Sequence, residues 1–285
     1  MHEHIVTINN KKVRYLEENT HAPETLILLH GIGATANTFS TLFKTIDSNL
    51  RLIAVDFPGR GSDKLEKNNI ANFADWLVKF IDYLNLNKIN LFGMSLGGAV
   101  ALRFAYKYPE RLDKLIIQAP PISSKVIGSS RRPAIFFALR ALDSESLIKL
   151  LNKVRKNDLW LWRFVRVFAA VNRKWKSKVL DPLGKENIMY IVKNNDLKVL
   201  KELLQDLNSL DITGILSQIK IPTLALMGGL DRAIDPKSLK IIEKSMPNVT
   251  TKFFPEEDHM MVLVNPNLVS KEITSFLQEP AEKVK

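Results

Sequence analysis

Apolar and polar positions along the chain follow two periods in turn. "ETLILLHGIG" holds an unbroken apolar run, Leu26 to Leu29, that ends in a glycine turn, and "LRLIAVDFPGRG" repeats the form around Leu52 to Val55. Further short runs stand in "INLF", "LDKLIIQAP" and "IPTLALMGG", and "VTTKFF" is strand-like. Unbroken runs of this length predict strands buried on both faces. Between them, "FADWLVKFIDYL", "LGGAVALRFAYKYP", "PKSLKIIEKSMP" and "NLVSKEITSFLQ" carry apolar residues at helical spacing, the second stopped by Pro109. The opening "HIVTINNKKVRYLEEN" alternates around an Asn-Asn pair and predicts an antiparallel hairpin. Strands alternating with amphipathic helices predict an α/β fold, a mostly parallel central sheet with flanking helices.

The alternation stops between Pro120 and about Lys220, where "RRPAIFFALRAL", "ESLIKLLNKV" and "LKVLKELLQDL" follow one another as helices. The expected organisation is a core formed by residues 1–120 and 219–285, interrupted by a helical cap insertion at 121–218. No repeat or low-complexity linker interrupts it, and the tail "EPAEKVK" is expected to fray.

Charge sharpens this division. The formal net charge is +11, and from Pro121 to Leu180 fourteen Lys or Arg stand against Asp143, Glu145 and Asp158, so one segment of the cap accounts for the excess. A charge cluster without a recognised binding module is weak evidence for nucleic acid, which is not expected as a partner. Its most distinctive stretch is "DLWLWRFVRVFAAVNRKWKSK". At 100° per residue Trp160, Phe164, Val167, Phe168, Val171 and Trp175 gather on one side and Arg163, Arg166 and Arg173 opposite, with Trp162 on the basic side. Three placements stay open for this helix: its aromatic face over an acyl-binding pocket, its basic face against an anionic membrane, or a solvated basic face with no ligand role.

With no Cys, the chain has neither a disulfide framework nor a thiolate nucleophile. No 18-residue apolar run marks a membrane span, and "MHEHIVTINN" lacks the features of a signal peptide, so a cytoplasmic protein, at most peripheral to a membrane, is expected.

The candidate chemistry starts at "GMSLG", a G-x-S-x-G pattern placed between a predicted strand and a predicted helix. A sharp turn there needs small neighbours and lifts the Ser95 hydroxyl above the carboxyl end of the sheet. The plainer reading is a Ser that caps the following helix. A neutral hydroxyl needs a general base. Of five His, His2 and His4 lie in the hairpin, His21 in a polar loop and His30 at a strand end, which leaves His259 in "PEEDHMM" after the strand-like "VTTKFF". A base needs an acceptor to fix its tautomer; Asp231 in "MGGLDRAIDP" is favoured, with Asp235, placed to start a helix before Pro236, and Asp258 as alternatives. No second His stands at ligand spacing from His259, so a zinc site is not expected, and no metal or organic cofactor is implied.

Together, "HGIG", "DFPGRG", "GMSLG" and the order Ser95, Asp231, His259 make the chain resemble the α/β-hydrolase fold family, serine esterase and lipase-like members with a helical cap, from roughly Glu24 to Leu277. The resemblance implies an oxyanion hole formed by the backbone N–H groups of Ile32 and Leu96. It also implies that His30 organises a turn. One departure touches a structural loop: Ser62 and Asp63 follow Gly61 directly, as if one residue of the family's second motif were missing. The expected activity is hydrolysis of a carboxylic ester, with an apolar acyl group and a small-molecule or lipid-like substrate. Trp160, Phe164, Phe168 and Met260 are candidate pocket residues. Thioester, amide or carbon–carbon hydrolysis, and a catalytically silent binding protein on the same scaffold, remain as alternatives.

Overall fold

A computed structural model of the chain describes residues 1–46, 49–128, 132–171 and 176–279. Eight strands form one sheet: β1 (His2–Ile8), β2 (Lys11–Glu18), β3 (Glu24–Leu29), β4 (Leu50–Val55), β5 (Ile89–Met94), β6 (Leu112–Gln118), β7 (Thr223–Gly228) and β8 (Val249–Phe254). Their order across the sheet is β1-β2-β4-β3-β5-β6-β7-β8. The β1–β2 hairpin and the β2–β4 pair are antiparallel, and every other pair is parallel.

The unbroken apolar runs have the cause the sequence suggests. Ile27 and Leu29 of β3 point into one core layer and Leu26 and Leu28 into the other, and Ile53 and Val55 against Leu52 and Ala54 divide β4 in the same way. The first layer is closed by α1 (Ile70–Tyr83) and α2 (Leu96–Lys107), the second by the last helix, α10 (Pro266–Gln278). In α1 the residues Ile70, Phe73, Leu77, Phe80 and Ile81 form the buried stripe, and the Asn69 side chain accepts the Asn72 N–H at 2.8 Å to cap it.

Between β6 and β7 the described residues are helical: α3 (Arg132–Ala141), α4 (Glu145–Arg155), α5 (Asp158–Val171), α6 (Asp181–Lys193) and α7 (Leu197–Ser209). Val199, Leu203 and Leu207 of α7 join the first core layer, so the return path of this excursion is built into the main body. Two short helices complete the chain, α8 (Lys237–Ser245) after β7 and α9 (Met261–Val264) before α10. Among the described residues no helix is long and apolar enough to cross a membrane.

On α5 the inward face differs from the expected one. Leu161 and Val165 are buried, whereas Trp160 is 61% and Val167 65% exposed. Trp162, expected on the basic side, packs against the second core layer. The side chains of Phe164, Phe168 and Val171 are not described, and Arg173 and Trp175 lie outside the described residues. Helical projection sorts residues into faces but leaves open which face meets the core; here Val165 and Trp162 pack on the second layer, Leu161 is buried, and the ring of Trp160 faces outward.

Candidate active site

β4 lies on one side of β3 and β5 on the other, so the chain reverses its direction of winding at the carboxyl ends of β3 and β5. In open α/β sheets a crevice forms at such a point. The turns after β3 and β5 meet there: a Cβ built on Gly31 would lie 3.3 Å from Ser95 Cβ.

Ser95 is the single residue between β5 and α2, with φ 53° and ψ −121°. This conformation is strained for any residue with a side chain. The Ser95 side chain makes no cap to α2, which removes the plainer reading of the serine. Its carbonyl accepts the N–H groups of Gly98 and Ala99 at 2.8 and 3.2 Å. The flanking glycines are required by close approach: a Cβ on Gly93 would strike the Gly97 carbonyl, and one on Gly97 would strike that of Leu29. Close packing of the junction and presentation of the serine are therefore one structure. The Leu96 N–H, in the first turn of α2, has no helical carbonyl to bond, and Ile32 follows the glycine that abuts Ser95.

The loop after β8 brings His259 beside the loop after β7. His259 Nδ1 stands 2.7 Å from Asp231 Oδ2. A carboxylate only accepts, so Nδ1 carries the proton and Nε2 is left as the acceptor. The Asp231 carboxylate is fully buried, and its other oxygen accepts the N–H groups of Ala233 and Ile234 at 2.7 and 2.9 Å. The alternative acids are engaged elsewhere. Asp235 accepts the Lys237 N–H at the start of α8. Asp258 accepts the Met260 N–H at 2.9 Å and pairs with Lys178. Burial pushes the Asp258 carboxyl up, but Lys178 and the Met260 N–H outweigh it and hold the group below the usual carboxylate range.

Gln118 joins the two halves. Its carbonyl accepts the Ser95 N–H at 2.9 Å, and its side-chain Nε2 donates to the His259 carbonyl at 3.1 Å.

His30 is a structural residue. The Phe57 N–H donates to its Nε2 at 3.1 Å, so Nδ1 carries the proton and donates to the Gly31 carbonyl at 2.8 Å. Burial pushes its pKa down to about 3, and the ring stays neutral under the glycine turn. Asp56, at the end of β4, is a second buried anchor. It accepts the Ala36 N–H at 2.6 Å and Arg14 Nη1 at 2.8 Å, and the Tyr190 hydroxyl of α6 stands 3.4 Å away. Burial raises its pKa to about 6 against the pull of Arg14. Neither Gln118 nor this cluster was found by sequence reasoning; a carboxylate directly after the apolar run Leu52 to Val55 was the available signal, since a buried charge needs a partner.

Of the candidate pocket residues, Trp160 faces outward and Met260 packs against the second core layer, while Met261 beside it is wholly buried packing.

The profile of the alpha/beta hydrolase fold matches residues 24–174, more than half of the chain. The chain belongs to the alpha/beta hydrolase fold family. Among curated proteins similar to this chain, a poly(3-hydroxyalkanoate) depolymerase of Ectopseudomonas oleovorans is 22% identical over 90% of this chain and 86% of its own. A pimeloyl-[acyl-carrier protein] methyl ester esterase of Wigglesworthia glossinidia brevipalpis is 27% identical over 89% and 93%. Among solved structures, the carboxylesterase CesB of Bacillus subtilis superposes with a TM-score of 0.74 at 21% identity, covering 97% of this chain and 91% of that one. This last likeness bears on the hydrolase fold alone.

Proposed function

We propose that the protein hydrolyses a carboxylic ester with an apolar acyl group through an acyl-enzyme on Ser95. The observation that carries this reading is the His259–Asp231 pair, linked through the hydrogen bonds of Gln118 to the backbone of Ser95. The name of one curated relative, a methyl ester esterase, favours esters over thioesters, amides and carbon–carbon bonds.

In this mechanism Ser95 Oγ attacks the carbonyl carbon while His259 Nε2 takes the hydroxyl proton, with Asp231 holding the ring and stabilising the imidazolium. The N–H groups of Ile32 and Leu96 bind the oxygen on which negative charge grows. His259 then protonates the leaving alcohol. Water, deprotonated by the same ring, attacks the acyl-enzyme and releases the acid. No step calls for a metal or organic cofactor. Of the helices between residues 121 and 218, α3 to α6 serve as a cap over the site, while α7 packs into the main body.

Labelling by an organophosphonate tests the nucleophile. One probe per chain is expected on the native protein and none on Ser95→Ala, with ester hydrolysis lost in parallel. Near-normal turnover by folded Ser95→Ala protein would sink the mechanism, and absence of labelling by probes of several sizes would favour a silent binding scaffold.

A second reading concerns where the substrate is met. Phe136, Phe137, Leu150, Leu159, Trp160 and Val167, all on α3 to α5, are each more than half exposed. Basic groups share this outward face: Arg140 lies 5.5 Å from the Phe136 ring centre and Arg163 lies 5.8 Å from that of Trp160. Exposed apolar rings among cations fit the interface of an anionic membrane, with the protein lying on it and not across it. Co-sedimentation is expected to rise with the anionic fraction of vesicles and to fall with salt, as exposed charges are screened over roughly 8 to 10 Å at moderate ionic strength. Equal, negligible binding under all conditions would leave a hydrolase of dissolved esters with a basic cap.

A further inference from the structure

We propose that Gln118 is a positioning residue that sets the height of the His259 base over Ser95, an inference that rests on the mechanism above. Gln118 is the last residue of β6 and stands in register with Met94 of β5 and Leu226 of β7. It binds backbone on both sides of the crevice, through its carbonyl to the Ser95 N–H and through its carboxamide to the His259 carbonyl. The imidazole is thus fixed from two directions, its ring by Asp231 and its backbone by Gln118.

Packing does not account for the amide. Leu115, Ile116 and Ile117 precede it in a strand that is apolar on both faces, and the Gln118 side chain is wholly buried. Its Oε1 is buried with no partner among the described residues. A methionine would fill the same length without that cost, since an unpaired buried acceptor opposes folding. What methionine cannot supply is the Nε2 donor to His259.

The backbone just beyond points the same way. Ala119 has φ 46°, a left-handed conformation that a residue with a Cβ adopts at a cost, and its N–H donates to the Leu226 carbonyl at 3.0 Å. Ser95 at φ 53° and Ala119 at φ 46° are thus two strained positions linked through one residue. Their strain is held where the strand end must place Gln118 between the nucleophile turn and the base loop.

The test compares Gln118→Met and Gln118→Glu with the native protein on a soluble ester, with active sites counted by phosphonate titration. A base displaced by a fraction of an ångström affects the chemical step, so Gln118→Met is expected to lower kcat about 10- to 100-fold with KM changed by less than about twofold. In Gln118→Glu a protonated carboxyl donates to the same carbonyl and an ionised one repels it, and burial raises its titration range. Its kcat relative to native protein is therefore expected to rise as pH falls. A folded Gln118→Met protein with native kcat would overturn the proposal. If that variant does not fold, the Gln118→Glu profile decides alone, and a ratio flat with pH rejects the role. Activity surviving in Ser95→Ala would instead overturn the mechanism beneath it, so the two failures are distinguishable.

Discussion

Strain at Ser95 separates what stabilises the turn from what the turn is for. At φ 53° and ψ −121° glycine is at ease and any other residue is not. Ser95→Gly is therefore expected to be more stable than Ser95→Ala by about 1 kcal/mol, since both lose the hydroxyl and only one loses the Cβ. Urea unfolding of the two variants checks this, and equal stabilities would show that the surrounding turn relaxes around Cβ. At this scale the sequence left His259 as the candidate base, with the other four His assigned to other places, and favoured Asp231 over Asp235 and Asp258 as its acceptor; those two side chains are the ones that pair. Gln118 was hidden because it acts through the carbonyl of a residue 141 positions away, and no side-chain pattern records a partner of that kind. Asp56, Arg14 and Tyr190 were hidden likewise, as three segments supply one buried cluster.

At the level of elements, β3 to β7 were easiest to read because each is covered twice, so its run of apolar residues is continuous and short, whereas the edge strands β1 and β8 are partly exposed. The α5 helix was harder. Its aromatic side looks like a buried face, yet among the described side chains Leu161 and Val165 are the buried ones, Trp162 packs against the second core layer and the ring of Trp160 is turned out. The two faces make opposite forecasts. Leu161→Ala is expected to cost about 2 to 3 kcal/mol of stability through the cavity it leaves, with little change in vesicle binding. Trp160→Ala is expected to change stability by less than about 0.5 kcal/mol and to weaken binding to anionic vesicles. Thermal unfolding and co-sedimentation of both proteins read the two effects. A large loss of stability in Trp160→Ala would return its ring to the interior.

For the whole molecule, two buried groups oppose each other in acid. His30 protonates near 6.5 when unfolded and near 3 when folded, so the stability it contributes is complete above pH 6.5 and is lost as pH falls toward 3. Asp56 protonates near 3.8 when unfolded and near 6 when folded, so acidification through that window favours the fold and part of the loss is offset. Asp56→Asn removes the offset, and its stability relative to native protein is expected to fall further as pH goes from 6 to 4. His30→Gln keeps an acceptor for the Phe57 N–H without a titrating ring, and its deficit is expected to shrink over the same range. Denaturant midpoints at several pH values show both trends; parallel profiles for all three proteins would mean that neither group governs acid stability.

The sheet order has one more consequence, in the timing of assembly. More than a hundred residues separate Gln118 at the end of β6 from Thr223 at the start of β7, yet the two strands are neighbours. Closing so long a loop is entropically costly and is eased as the intervening helices form. The chain emerging from a ribosome can thus complete the strands through β6, with the serine already on its turn, while Asp231 and His259 are still unmade. A nascent chain at that stage carries the Ser95 hydroxyl without its proposed base, and the proposed chemistry is withheld until the loop after β8 is in place.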